Sequence, residues 1–215
     1  MDLEVAEHAY IFGLFQTDGH LQQSSRNRGK LTIELKSTDS QILHDIQAYI
    51  PCYSSIRNRS RATNFGIITT STLNIFDMEF RKELNIYGIP YGKKSNIVDI
   101  PTVPFIELDY FRGIIDGNGS LGFTSAGFPF LSLVAKSEHI AYAYIKFIES
   151  IIHKTKTTTR NKRDGVFNIC VYKEDAQLLT KALYYTNCLA IHRKYAIATS
   201  IATWIRPSTM RRKSQ

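Results

Sequence analysis

Apolar and polar positions along this chain fall into two successive sets, the second repeating the order of the first. Ile11, Phe12, Leu14 and Phe15 form an apolar helical run around Gly13, ending at Asp18-Gly19. A polar hairpin follows from His20 to Lys36, turning around Asn27-Arg28-Gly29. In it Leu31, Ile33 and Leu35 alternate with Thr32, Glu34 and Lys36, the period of a strand with one buried face. Thr38 with Gln41 predicts a capping box for the next helix. Its inward face is Ile42, Leu43, Ile46, Tyr49 and Ile50, and Pro51 closes it. A second hairpin, Tyr53 to Thr70, leads to a helix with Leu73, Phe76, Phe80 and Leu84 inward.

The second set starts at Phe111-Arg112-Gly113-Ile114-Ile115-Asp116-Gly117-Asn118-Gly119, offset by 100 positions from Ile11–Gly19. A hairpin from Ser120 to Lys136 turns near Ala126-Gly127. Ser137 caps a helix carrying Ile140, Tyr144, Ile145, Ile148 and Ile151. A second hairpin, His153 to Tyr172, turns at Arg163-Asp164-Gly165, and a helix from Glu174 buries Leu178, Leu179, Ala182 and Leu183. Pro101 and Pro104 punctuate the junction. The organisation read from this is a repeat over 1–98, a linker over 99–104, a second repeat over 105–206 and a basic tail over 207–215. One repeat alone cannot cover both faces of its sheet. Gly13 and Gly113 share a register, and a mid-helix glycine costs about 1 kcal/mol against alanine, so a close helix–helix seam is expected at both.

Composition narrows the partners. The net charge of +8 and pI near 9.4 favour a polyanion. Cys52, Cys170 and Cys188 form no CxxC pair and read as reduced thiols of an intracellular protein; with six histidines they assemble no zinc pattern. No apolar run reaches the ~18 residues of a membrane span. Met1-Asp2-Leu3-Glu4 lacks signal or transit character.

The chemistry concentrates where the two motif helices end. A helix C-terminus favours cations because its last carbonyls lack partners. Asp18 placed there, with backbone oxygen, gives an all-oxygen set suited to Mg²⁺, and two such ends could hold divalent metal over a phosphodiester. Asn118 occupies the position matching Asp18 and brings no charge, which lowers metal affinity and the activation of bound water. Three explanations stay open: a degenerate natural site, slow or single-strand cutting with one carboxylate, or an engineered replacement. Two lysines stand at matched distances. Lys94 lies 76 positions after Asp18 and Lys194 lies 76 after Asn118, with Lys93 the rival of Lys94.

IFGLFQTDG and FRGIIDGNG resemble the paired motifs of the LAGLIDADG homing endonucleases, single-chain type, departing at Asn118. Gly88-Ile89-Pro90-Tyr91-Gly92-Lys93-Lys94-Ser95 and Arg193-Lys194-Tyr195 resemble the family's lysine segments. The resemblance implies an α+β fold of two pseudo-twofold-related αββαββα repeats. Antiparallel sheets form a DNA-binding saddle and the motif helices pack at the centre. It implies Mg²⁺-dependent double-strand cleavage of a long asymmetric target, leaving 3′ overhangs. By the same resemblance Asp18 and Asn118 would act with the carbonyls of Thr17 and Gly117 as metal ligands, and Lys94 and Lys194 would stabilise developing charge or polarise water. A monomeric, free-standing or intron-encoded protein is expected, in an organelle or in bacterial or phage cytoplasm. The alternative is a non-catalytic binder on the same fold, an RNA maturase or a transcription factor.

The hairpins supply the DNA surface. Counting by twos from Asp18 gives His20, Gln22, Ser24, Arg26 and Arg28, a polar row on one strand face. Lys30, Thr32, Glu34 and Lys36 extend it, and Arg57, Arg59 and Arg61 form a second row. Lys154, Lys156, Arg160 and Lys162 match that row in the second half, where the first hairpin offers only Ser120, Thr124, Ser132 and Lys136. A β-ribbon fits the major groove, where Arg reads guanine and Gln reads adenine. The remaining basic side chains hold phosphate. The tail Arg206 to Gln215 is expected to lack fixed structure and to touch phosphate through Arg206, Arg211, Arg212 and Lys213.

Overall fold

The structure, a computed structural model, describes residues 1–24, 28–64 and 66–207. Helices α1 (Ala6–Asp18) and α4 (Glu107–Asn118) pack against each other at its centre. Tyr10, Phe12, Phe15, Tyr110, Ile114 and Ile115 are fully or almost fully buried there. The seam needs both glycines. A Cβ on Gly13 would stand 3.1 Å from the Ile114 nitrogen and well under 3.0 Å from the Tyr110 carbonyl oxygen. On Gly113 it would stand 2.9 Å from the Leu14 nitrogen and well under 3.0 Å from the Tyr10 carbonyl oxygen. These contacts exchange under the same 100-residue offset, so the seam is pseudo-twofold. Near the helix ends Thr17 fills the space that Gly117 leaves by lacking a side chain.

The first repeat continues with β1 (Gly19–Leu21), β2 (Leu31–Lys36), α2 (Gln41–Tyr49), β3 (Ser54–Thr63), β4 (Gly66–Ile75) and α3 (Met78–Tyr87). Its antiparallel sheet has the order β1-β2-β4-β3. Leu21, Leu31, Ile33, Leu73 and Ile75 form the buried face against α1 and α2. The second repeat holds β5 (Gly119–Phe123), β6 (Pro129–Ala135), α5 (Glu138–Ile152), β7 (Phe167–Tyr172), α6 (Lys173–Leu183) and α7 (His192–Ala202). Its antiparallel sheet, β5-β6-β7, has three strands. Among the described residues no helix is long and apolar enough to cross a membrane.

Most elements fall where the periodicity places them, and the departures have physical causes. Thr38 is not a helix cap. It lies in a 3-10 turn, Ser37–Asp39, and α2 starts after it with no side-chain cap. Tyr49 leaves the inward face and is exposed. Strand β4 runs on through Leu73, so Leu73 packs from the sheet and Phe76 lies outside the helix. Asp77 caps α3 by accepting from the Phe80 amide at 2.8 Å. Ser137 caps α5 as read, accepting from Ile140.

The hairpin expected over His153–Tyr172 is half absent. Only β7 forms, and 153–166 runs irregularly beside it with a single bridge, Arg160 to Phe167. No side chain from His153 to Asp164 is hydrophobic, so a strand there would have no face to bury. The turn itself forms, with Gly165 at φ +68° donating to the Asn161 carbonyl at 2.9 Å. Helix α6 is turned from the expected phase: Ala176, Leu179, Thr180 and Leu183 face inward, Leu178 outward, and Ala182 is half-buried. Ile151 too is only half-buried. Helix α7, absent from the periodicity reading, packs on α6 and β5.

Candidate functional site

The two motif helices end side by side, and each end is closed from below by a buried lysine. Lys94 donates to the carbonyls of Phe15, at 2.7 Å, and Gly19. Lys194 donates to the carbonyls of Ile115, Asp116 and Gly119 at 2.6, 2.7 and 2.8 Å. The paired acceptors, 15 with 115 and 19 with 119, obey the 100-residue offset. Only 8% of Lys94 and 3% of Lys194 is exposed, whereas Lys93 is exposed, so Lys94 is the lysine that closes the first helix end. Each ammonium satisfies helix-end carbonyls and meets the negative end of the helix dipole. Burial nevertheless lowers both lysines to a pKa of about 8, partly offset at Lys94 by Asp18 and at Lys194 by Asp116 and Asp18. Both remain largely charged at neutral pH.

Asp18 is half-buried above these lysines. Burial raises its carboxyl pKa, while Lys194 and Lys94 pull it back down. The lysines of both repeats therefore act on Asp18, against the buried Asp116 of the second motif, which raises its pKa further. Asn118 is exposed at the matching helix end. A cavity of about 250 Å³ opens between the repeats and brings Gln16, Thr17, Lys94 and Ser95 beside Asn118, Lys136 and Ser137. It opens Lys94 and Asn118 to one shared space, while Lys194 and Asp18 lie outside its lining.

The donors suit a hard cation, being oxygen only: the Asp18 carboxylate, the Asn118 amide and the helix-end carbonyls of Thr17 and Gly117. Among the described residues no three His, Cys, Asp or Glu side chains cluster to hold a metal. Asp18 is the one carboxylate in this donor set, and two ammonium groups stand beneath it. A cation fits these ligands only with further negative charge, and phosphate oxygens would bring it.

Sheet register sorts the surface residues. In the first repeat His20 pairs with Thr32, Glu34 with Thr72, Thr72 with Arg57, Lys36 with Thr70 and Thr70 with Arg59. Arg61 pairs with Ile68. All of these lie on one face of the sheet, opposite the core, as the alternation implied. Arg61 is bound to Glu34 at 3.3 Å, so its charge is partly spent within the protein. The row from Asp18 is not a strand beyond Leu21. Gln22 and Arg28 are exposed, Ser24 and Lys30 half-buried, and Arg26 lies outside the described residues, as does Asn27 of the turn.

The second sheet presents a different face. Ser120, Ser132 and Cys170 line up across it, as do Gly122, Phe130 and Tyr172. Val134 and Asn168 complete an uncharged surface. Thr124 sits in the β5–β6 turn, accepting from the Phe128 amide at 3.2 Å. The basic set expected there is not a strand row. Lys154 pairs with Asp175, Lys156 reaches the Cys170 carbonyl at 3.5 Å, and Arg160 covers the Phe167 ring. Lys162 is exposed in the turn. Arg206, expected in a loose tail, is held by two 2.6 Å bonds to Glu174; 208–215, with Arg211, Arg212 and Lys213, lie outside the described residues.

Four motif-helix residues escaped the sequence reading. Gln16 and Asp116, sixth in each motif, are buried and bonded across the seam: Tyr110 donates to Gln16 at 2.6 Å and Tyr10 to Asp116 at 2.7 Å. The same 100-residue offset, extended to Tyr10/Tyr110 and Gln16/Asp116, was the available signal. Arg193 was also missed; it ties α7 to the first repeat through Asp39 at 2.9 and 3.1 Å. The three cysteines are free and half-buried.

The glycine seam, paired helix ends and one sheet per repeat are the features of a two-repeat LAGLIDADG-type fold. Residues 6–79 match the family model described as "LAGLIDADG-like domain". The likeness of the whole chain is carried by fold. It matches the homing endonuclease I-WcaI bound to its DNA recognition sequence at 16% identity and TM-score 0.63, covering 92% of this chain and 88% of that one. It matches mesophilic variants of the homing endonuclease I-DmoI at 11% identity and TM-score 0.58, covering 93% and 100%. Full-length DUF199/WhiA from Thermatoga maritima matches at 12% identity and TM-score 0.54, covering 97% of this chain and 65% of that one. No curated protein sequence matches the chain.

Proposed function

We propose that the chain is a site-specific DNA endonuclease, acting as a monomer on a long asymmetric duplex with a divalent cation, and weakened by Asn118. The observation that carries this reading is the convergence of two buried lysines on Asp18 at paired helix ends. A charge arrangement of that kind suits a phosphodiester whose oxygens gain charge as a bond breaks. The structural likeness to I-WcaI bound to its DNA recognition sequence supports duplex DNA as the partner. The basic face of the first sheet, with Lys36, Arg57 and Arg59, supports phosphate and guanine contacts. The uncharged face of the second sheet suits apolar contacts, thymine methyl groups among them, so the two half-sites are read by unlike chemistry. That difference matches an asymmetric target.

A bound Mg²⁺ would supply Lewis acidity and a nucleophilic water at neutral pH. Asp18, Asn118 and the carbonyls of Thr17 and Gly117 are the residues that would hold it. Lys194 already spends three donors on carbonyls. Its role is accordingly a fixed positive charge beneath the phosphate, not proton delivery.

Asn118 favours a second reading, a non-catalytic binder on the same fold. The likeness to WhiA means that the fold is not confined to proteins titled homing endonucleases. Selection of duplexes from a random pool, followed by binding with and without Mg²⁺, tests the shared part of both readings. Enrichment of one long non-palindromic sequence, bound without metal, is expected. Recovery of no preferred sequence would remove the site-specific function.

A further inference from the structure

The sixth residues of the two motifs do more than bridge the seam. Gln16 donates to the carbonyls of Gly88 at 3.0 Å and Asp99 at 2.8 Å. Those carbonyls bracket the segment that carries Lys94. Asp116 accepts from the Ile191 amide and the Tyr184 hydroxyl, both at 2.7 Å. Ile191 immediately precedes α7, whose first turn carries Lys194. Each repeat thus fastens its lysine segment to its own motif helix through the same position, once as a donor and once as an acceptor. Arg112 adds to the second fastening by donating to the carbonyls of Leu189 at 2.8 Å and Leu183 at 3.0 Å.

We infer that Gln16 and Asp116 are positioning residues, each holding its repeat's lysine beneath the motif-helix end. Both are almost fully buried, Gln16 reaching only the wall of the cavity between the repeats. They act through Lys94 and Lys194. Tyr10 and Tyr110 each donate from the other motif helix, so the position of each lysine also depends on the partner repeat. The consequence for catalysis rests on the nuclease reading; the positioning itself does not.

Amine labelling with an N-hydroxysuccinimide acetate, resolved by lysine in a mass spectrometer, tests the positioning without any cleavage. Asp116→Leu keeps the bulk and removes all three acceptor contacts. Lys194 labelling should rise roughly tenfold, the effect of losing about one net hydrogen bond of local stability, with Lys94 unchanged. Asp116→Asn should restore protection, because its amide oxygen can accept from Ile191 and Tyr10 while the Tyr184 hydroxyl turns to accept from the amide nitrogen. Gln16→Glu retains the acceptor for Tyr110 but loses both donors. There Lys94 labelling should rise and Lys194 should not. If Asp116→Leu does not fold, Gln16→Glu carries the test alone. Unchanged labelling, or an equal rise at both lysines, would overturn the inference. On a cleavable target, Asp116→Leu and Gln16→Glu should slow opposite strands; equal slowing of both strands by each variant counts against it. The labelling pattern in an Asn118→Asp chain that binds its target yet cuts neither strand would uphold the positioning and remove only the nuclease reading.

Discussion

Gly13→Ala sets a propensity gain against a packing loss, and the structure decides the sign. Alanine in a helix interior gains about 1 kcal/mol over glycine. The added Cβ would stand well under 3.0 Å from the Tyr110 carbonyl oxygen and 3.1 Å from the Ile114 nitrogen. Both are backbone atoms of a facing helix, so no side chain can rotate out of the way. The helices must separate, and every buried contact along them loosens, an overpacking cost toward or beyond the upper end of about 1–3 kcal/mol. A net destabilisation of about 1–2 kcal/mol follows, a fall in Tm of about 2–8 °C for a chain of this length. Gly113→Ala should behave alike. The double variant should cost less than the sum of the two, because the first alanine has already opened the seam for the second. Thermal unfolding of the three variants by circular dichroism is the assay. A rise in Tm for either single variant would refute the close-seam argument, since propensity alone would then have decided.

Three further outcomes follow from the same geometry. DNA affinity should fall steeply with salt through counterion release, and Arg59→Ala should reduce the slope of log K against log salt by about one; an unchanged slope would remove Arg59 from the phosphate contacts. Lys194→Met should lower stability by about 1–3 kcal/mol by leaving helix-end carbonyls buried without donors, whereas Lys82→Met, at an exposed pair with Glu79, should cost little; equal effects in urea unfolding would contradict the capping role. Because folding lowers Lys94 and Lys194 from 10.5 to about 8, the folded chain binds fewer protons than the unfolded one above about pH 8. Stability relative to a Lys94→Met/Lys194→Met variant should therefore rise between about pH 8 and about pH 10.5, and a flat difference would argue that the lysines are not buried.

The 100-residue offset made much of this molecule legible in its sequence. It placed both motif helices, the glycine seam and the two lysines. Strict alternation in Leu31–Lys36 placed the outer face of the first sheet correctly. What failed was reading charge as if it were structure. The basic run from Lys154 to Lys162 imitates the arginine row of β3, but β3 is anchored by Ile56 and by its partner β4, and the run has no apolar residue to anchor it. Gln16 and Asp116 were overlooked because a polar residue inside an apolar helix declares its purpose only once its partners are known. Their partners lie 68 to 106 positions away. Lys194 was expected near the chemistry, but nothing in its local sequence announced that three carbonyls would claim its protons.

The central claim is that charge at the paired helix ends makes a nuclease and that Asn118 withholds part of it. A supercoiled plasmid bearing the selected target, incubated with Mg²⁺ and either the chain or its Asn118→Asp variant, tests this most directly. Intact, nicked and linear forms separate on a gel. The chain as it stands should bind and then cut slowly, on one strand preferentially, or not at all, whereas Asn118→Asp should linearise the plasmid far faster. Rapid linearisation by the unaltered chain would show that an amide serves as well as a carboxylate and contradict the charge account. An Asn118→Asp variant that binds normally and stays inert would contradict the nuclease itself.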